Sequence, residues 1–277
     1  MQRVSIGSVE ITALLDAPFL QNPRILTPDH ADEMAAEYRD SLDDRGLCMG
    51  AVTCYLIHAA GQRILVDTGI GPRKRPGFPA GHLDDALREA GVRPDEIDVV
   101  VHTHLHTDHI GWNTYDGEDG RIAVFFPRAR FVIQQAEWDY WMTPEMLIEP
   151  RHAALSECIE PLRDGGRMQF TQGEETFGKH LVFISAPGHT PGHVAIGISD
   201  AGERGVIIGD ASHHPFHVAH PDWVTPLDWD PVQAAASRDR IFNLAADEQR
   251  LVLGGHWKHP GWGSIVRLNS KRSFRAR

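Results

Sequence analysis

The chain has 277 residues, 27 Lys+Arg against 38 Asp+Glu, a formal net charge of −11, 17 His and 3 Cys. That acidic balance argues against nucleic acid or an anionic membrane as a partner, because phosphate binding needs clustered cations. Cys48, Cys54 and Cys158 form no C-x-x-C pair, and a chain this long buries enough surface to need no disulfides, which fits a reducing compartment. Met1 is followed by no apolar leader, and no window approaches eighteen consecutive apolar residues, so a cytoplasmic protein without a membrane span is expected.

Residues 1–15 alternate in strand fashion around a Gly7-Ser8 turn. Residues 17–50 change character: Pro18, Pro23 and Pro28 break the chain before a short helical stretch near 29–39, a segment read as a lid, a dimer arm or a plain surface connection. Residues 52–58 and 63–67 read as a hairpin across Gly61-Gln62. Leu83, Ala86, Leu87 and Ala90 give a helix with one buried face that stops at Gly91. The β-branched run at 97–102 reads as a buried strand, and 130–134, 181–185, 194–199, 206–209 and 251–253 as further strands. Asp230 as N-cap, Pro231 at the first helical position and Gln233 at capping-box spacing start a helix expected to end near Asp247. No repeat or linker interrupts this order, so one domain over 1–277 is expected.

The histidines are gathered rather than scattered. Ten of them fall in two stretches: His102, His104, His106 and His109, then His189, His193, His213, His214, His217 and His220. In an extended chain His104 and His106 point to one side, and a turn then brings Asp108 and His109 to a neighbouring position. Neutral imidazoles with a carboxylate and no thiolate suit zinc or a similar divalent ion in an open, catalytic site.

His104-x-His106-x-Asp108-His109 resembles the signature of the metallo-β-lactamase-fold hydrolases. Downstream segments match that family in order: Ala186-Pro187-Gly188-His189-Thr190-Pro191-Gly192-His193, Ile207-Ile208-Gly209-Asp210 and Leu253-Gly254-Gly255-His256. Leu65-Val66-Asp67-Thr68-Gly69 is similar to an earlier family motif. The resemblance implies an α/β (α+β) chain folded as a four-layer αββα sandwich. It further implies two divalent metal ions, zinc being favoured. One is held by His104, His106 and His189, the other by Asp108, His109 and His256, with Asp210 and a hydroxide bridging them. Asp108 is expected to pass a proton to the leaving group. Asp67 is expected to orient a ligand histidine, or else to be a strand-end turn residue, and His193 to support the 188–192 loop.

The substrate is read from the periphery of that site. Lactonases of the family often carry a tyrosine three residues after the bridging aspartate; this chain has His213 there, a candidate hydrogen-bond donor to the substrate carbonyl. His256-Trp257-Lys258-His259-Pro260-Gly261-Trp262-Gly263 resembles the ending of the branch that holds lactonases and methyl-parathion-type hydrolases, with His259 in place of the usual Phe. Trp112, Phe216 and Trp257 are candidate walls for an apolar substrate. The resulting expectation is a hydrolase that opens small neutral esters, above all lactones. Organophosphate triesters and β-lactams are alternatives, and so is a non-catalytic metal-dependent small-molecule binder. A homodimer built with 17–50 is a further expectation from the resemblance.

Overall fold

The strands at the amino end follow their alternation: β1 (Gln2–Ile6) and β2 (Val9–Gln21) form a hairpin across Gly7, whose φ of 56° turns the chain. The computed structural model describes residues 2–269 and 271–277. It divides into two units, one holding the chain up to Ala17 with Val52–Gly173, the other holding Pro18–Ala51 with Glu174–Arg277. The crossing at residues 17–18 lies within β2, which continues past the expected strand end at residue 15. Pro18 is tolerated there because its fixed φ suits extended backbone and its side chain is exposed.

In the first unit, β3 (Cys48–Ala59), whose first four residues belong to the second unit, and β4 (Gln62–Val66) make the expected hairpin. β5 (Val99–Val101) follows, then a small ribbon of β6 (Thr114–Asp116) and β7 (Ile122–Val124), then β8 (Arg130–Gln134) and β9 (Met168–Thr171). The main sheet has the order β1-β2-β3-β4-β5-β8-β9, and β4, β5, β8 and β9 pair in parallel. All three valines of β5 are buried, as a parallel strand covered on both faces requires. Helix Leu83–Glu89 buries Leu83 and Leu87 in a core with Phe126 and Phe131. Each fully buried side chain of this kind contributes about 1.5–3 kcal/mol relative to exposure.

The second unit carries β10 (Thr176–Phe177), β11 (Leu181–Ser185), β12 (Val194–Asp200), β13 (Glu203–Ile207), β14 (Leu251–Leu253), β15 (Trp262–Leu268) and β16 (Lys271–Ala276), paired in chain order. Only the β13–β14 pair among them is parallel, and helix Pro231–Asp247 forms the crossover. That helix has the expected bounds, and the Asp230 carboxylate accepts from the Gln233 N–H as its cap. Residues 22–41 form short helices, including Ala31–Glu37, and pack Leu26 and Met34 with Cys48, Phe216 and Trp223. The three cysteines are free and buried. Among the described residues, no helix is long and apolar enough to cross a membrane.

Candidate metal centre

In the first unit the parallel register pairs Val66 with Val101 and Val101 with Val132, so the segments after β4 and β5 leave the sheet at one edge. Asp67 follows β4 in a left-handed conformation, φ 59°, which Asp adopts more readily than bulkier residues. Its Oδ1 accepts from the Thr103 N–H at 2.8 Å, and its Oδ2 from the Thr103 hydroxyl at 2.8 Å and from His109 Nδ1 at 2.9 Å. With its proton given to Asp67, the Thr103 hydroxyl accepts from His104 Nδ1 at 3.0 Å. Both imidazoles are thereby set as Nδ1–H tautomers, which makes Nε2 their metal-binding atom.

The His104 ring lies 4.0 Å from that of His109 and 4.7 Å from that of His106, centroid to centroid. Buried Glu137 accepts from the Leu105 N–H at 3.0 Å and holds the backbone between the two histidines. Asp108, in the helical turn Thr107–Ile110, places a carboxylate oxygen 4.0 Å from His109 Nε2. Burial works against the ionised form of Asp67, but His109 and His102 outweigh it and hold this carboxyl well below the usual carboxylate range.

In the second unit, Ile207 pairs with Leu253 in parallel, so Asp210 after β13 and His256 after β14 emerge from the same end of adjacent strands. His189 comes from the loop that joins β11 to β12 and returns beside them. Three imidazole Nε2 atoms converge on Asp210 Oδ2: His189 at 3.3 Å, His213 at 3.2 Å and His256 at 3.2 Å. Two of the three outer nitrogens are engaged. His189 Nδ1 donates to Asp228 Oδ1 at 3.0 Å, and His256 Nδ1 to the Ala51 carbonyl at 3.1 Å.

His193 accepts from the Asp210 N–H through Nε2 at 2.9 Å and donates through Nδ1 to the Ala186 carbonyl at 3.1 Å. It thus joins the backbone of Asp210 to the start of the His189 loop. Burial disfavours charge on His189, yet its hydrogen bonds and ion pairs with Asp210 and Asp228 prevail and raise its pKa to about 9. His213 goes the other way: burial lowers its pKa and favours the neutral ring.

Clustered histidines and carboxylates, with the outer nitrogen of each oriented ring tied to an acceptor, have the donor chemistry of a divalent-metal centre. Trp112, Phe216 and Trp257, the expected substrate walls, are largely buried among other side chains. Trp112 joins the Phe126 cluster and donates its indole N–H to Asp16, Phe216 packs with Leu26 and Trp223, and Trp257 lies edge-on to Phe274.

Residues that the sequence reading did not single out also hold the site. Thr103, Glu137 and Asp228 carried no motif. Arg238 did carry a signal: it is a cation on the stripe of Ala234, Ile241, Phe242 and Ala245, the buried face of its helix.

The family model described as Metallo-beta-lactamase superfamily matches residues 49–256. An N-acyl homoserine lactonase from Bacillus thuringiensis is 24% identical over 223 residues, covering 74% of this chain and 80% of the relative. Among solved structures, the hydrolase AbOPH of the beta lactamase superfamily gives a TM-score of 0.88 at 23% identity, covering 99% of this chain and 96% of that one. AidC, a dizinc quorum-quenching lactonase in complex with a product, gives 0.84 at 24% identity, covering 100% and 97%.

Proposed function

The chain belongs to the metallo-beta-lactamase superfamily, and from that premise we propose that it is a binuclear metal-dependent hydrolase of small neutral esters, with lactones as the preferred class. His104, His106 and His189 would hold one ion and Asp108, His109 and His256 the other, with Asp210 as a further ligand. The reading takes 1–277 as one catalytic domain. The observation that carries it is the tautomer control around the donors: Asp67, Thr103, Asp228 and the Ala51 carbonyl each engage the Nδ1 of a proposed ligand.

Bound there, two zinc ions supply Lewis acidity, which makes water a nucleophile near neutral pH and stabilises charge developing on an ester oxygen. Asp108 would serve both as a ligand and as the group that moves a proton to the leaving alkoxide. His213, beside Asp210, donates to the substrate carbonyl. The lactone preference draws on the Bacillus thuringiensis lactonase and on AidC.

The test is turnover by the zinc-loaded protein on a panel of N-acyl homoserine lactones, aryl esters, a phosphotriester and a β-lactam, alongside metal counting. Lactone opening should be fastest, with two ions per chain. His256→Ala should bring the count toward one and sharply reduce turnover. Tight binding of lactones without hydrolysis would identify a metal-dependent binding protein instead, and two retained ions with full activity in His256→Ala would remove His256 from the ligand set.

A further inference from the structure

Arg238 has no exposed surface, and its guanidinium is fully engaged by four acceptors. Nε donates to the Ala211 carbonyl at 2.6 Å, Nη1 to the carbonyls of Pro221 at 2.9 Å and Trp223 at 3.5 Å, and Nη2 to Asp228 Oδ2 at 3.1 Å. The other oxygen of Asp228 accepts from His189 Nδ1 at 3.0 Å. The side chains of Asp228 and Arg238 are both solvent-free in their ion pair. The neighbouring residue on the same helix, Ser237, donates to the Pro187 carbonyl at 2.7 Å, and the N–H groups of Trp229 and Asp230 donate to the carbonyls of His189 and Gly188. One helical turn therefore grips the segment after Asp210, the segment ending at Asp228 and the His189 loop.

A solvent-free ion pair is a poor way to gain stability, since desolvating two charges costs about as much as their attraction returns. It does fix geometry. A carboxylate held by Arg238 accepts from His189 Nδ1 in a fixed orientation, so Nε2, 3.3 Å from Asp210 Oδ2, is the nitrogen that would give up its proton and take a metal ion.

We infer that Asp228 and Arg238 are positioning residues for the metal centre: through His189 they set the tautomer and ring plane of one ligand, and through the Ala211 carbonyl they fix the segment that carries the bridging aspartate. This rests on the metal-centre reading above. The pair selects how one ion is held and touches neither substrate nor the second ion.

The experiment compares wild type, Asp228→Asn and the double variant Asp228→Asn/Arg238→Met by zinc uptake against a competing chelator and by the visible absorption of the cobalt(II)-loaded proteins. Asp228→Asn leaves Arg238 buried without its counter-ion and can fail to fold. The double variant removes both charges and keeps the test available. In the folded variant, affinity for one of the two ions should fall about 10–100-fold, the usual effect of losing a partner to a ligand histidine. Affinity for the other ion should stay near wild type, and the cobalt spectrum of the weakened site should change. A general structural role would instead lower the thermal midpoint with both affinities unchanged, and that result overturns the inference. So does a folded variant with wild-type affinities and spectrum. Wild-type protein that takes up no metal overturns the centre itself, and the wild-type arm separates that failure from this one.

Discussion

Replacing His214 by Asn should flatten the acid limb of the stability curve. His214 is buried, its ring stacks on Phe216 at 5.2 Å, the edge of Tyr38 meets it at 5.8 Å, and its Nδ1 accepts from the Phe216 N–H at 3.1 Å. Burial pushes its pKa down to about 3. In the unfolded chain the same imidazole titrates near 6.5, so between those two values the unfolded state holds the extra proton. Stability from the neutral ring is full above about pH 6.5, declines as pH falls below that value, and is wholly lost below about pH 3.

From about pH 7.5 to about pH 5 the loss amounts to about 2 kcal/mol, and it approaches about 5 kcal/mol in the acid limit. An asparagine side chain can accept from the N–H two residues on in an Asx turn, which preserves the local hydrogen bond and removes the titration. The smaller side chain should cost about 1–2 kcal/mol at every pH. Urea unfolding of the metal-free proteins over this pH range measures both terms. The wild-type curve should fall more steeply by about 2 kcal/mol, and curves that run parallel within about 0.5 kcal/mol would refute the reasoning.

Gly188 has a φ of 128°, and a Cβ there would collide with the backbone nitrogen of Ala234, so Gly188→Ala should cost about 2–4 kcal/mol in urea unfolding. A cost below about 0.5 kcal/mol would show that the loop shifts freely. His193→Ala removes the acceptor of the Asp210 N–H and should destabilise the metal-free chain by about 1–3 kcal/mol, while His193→Gln should recover part of that. Equal losses for the two variants would argue against the hydrogen bond as the cause. Chelating the metal should lower the thermal midpoint, since an ion that binds only the folded chain adds about 2.7 kcal/mol at a hundredfold excess over its Kd. An unchanged midpoint, read by circular dichroism, would count against a centre that binds metal in the folded state.

Much of this fold was legible because local signals and tertiary demands coincide. The helix Pro231–Asp247 has its cap, its first-turn proline and a buried stripe all written locally, and β8 and β11 have the bounds their apolar runs announce. The histidine stretch was equally plain, since four donor side chains in six residues leave few other uses. What escaped was non-local. Asp228 meets His189 across 39 residues and Asp16 meets Trp112 across 96, and no spacing rule connects such pairs. The aromatic packing is non-local for the same reason: nearness to a motif in the chain says nothing about which face a ring turns to, and Trp112, Phe216 and Trp257 each pack into a buried cluster.

His256 takes its orientation from the Ala51 carbonyl, a partner made 205 residues earlier. At ordinary elongation rates of about 5–20 residues per second, that acceptor waits roughly 10–40 s for its donor to be synthesised. The last proposed ligand is therefore absent while all the others are already made. Metal capture by a complete centre has to follow synthesis through residue 256, and a nascent chain halted before it would offer histidines to metal without the last proposed ligand.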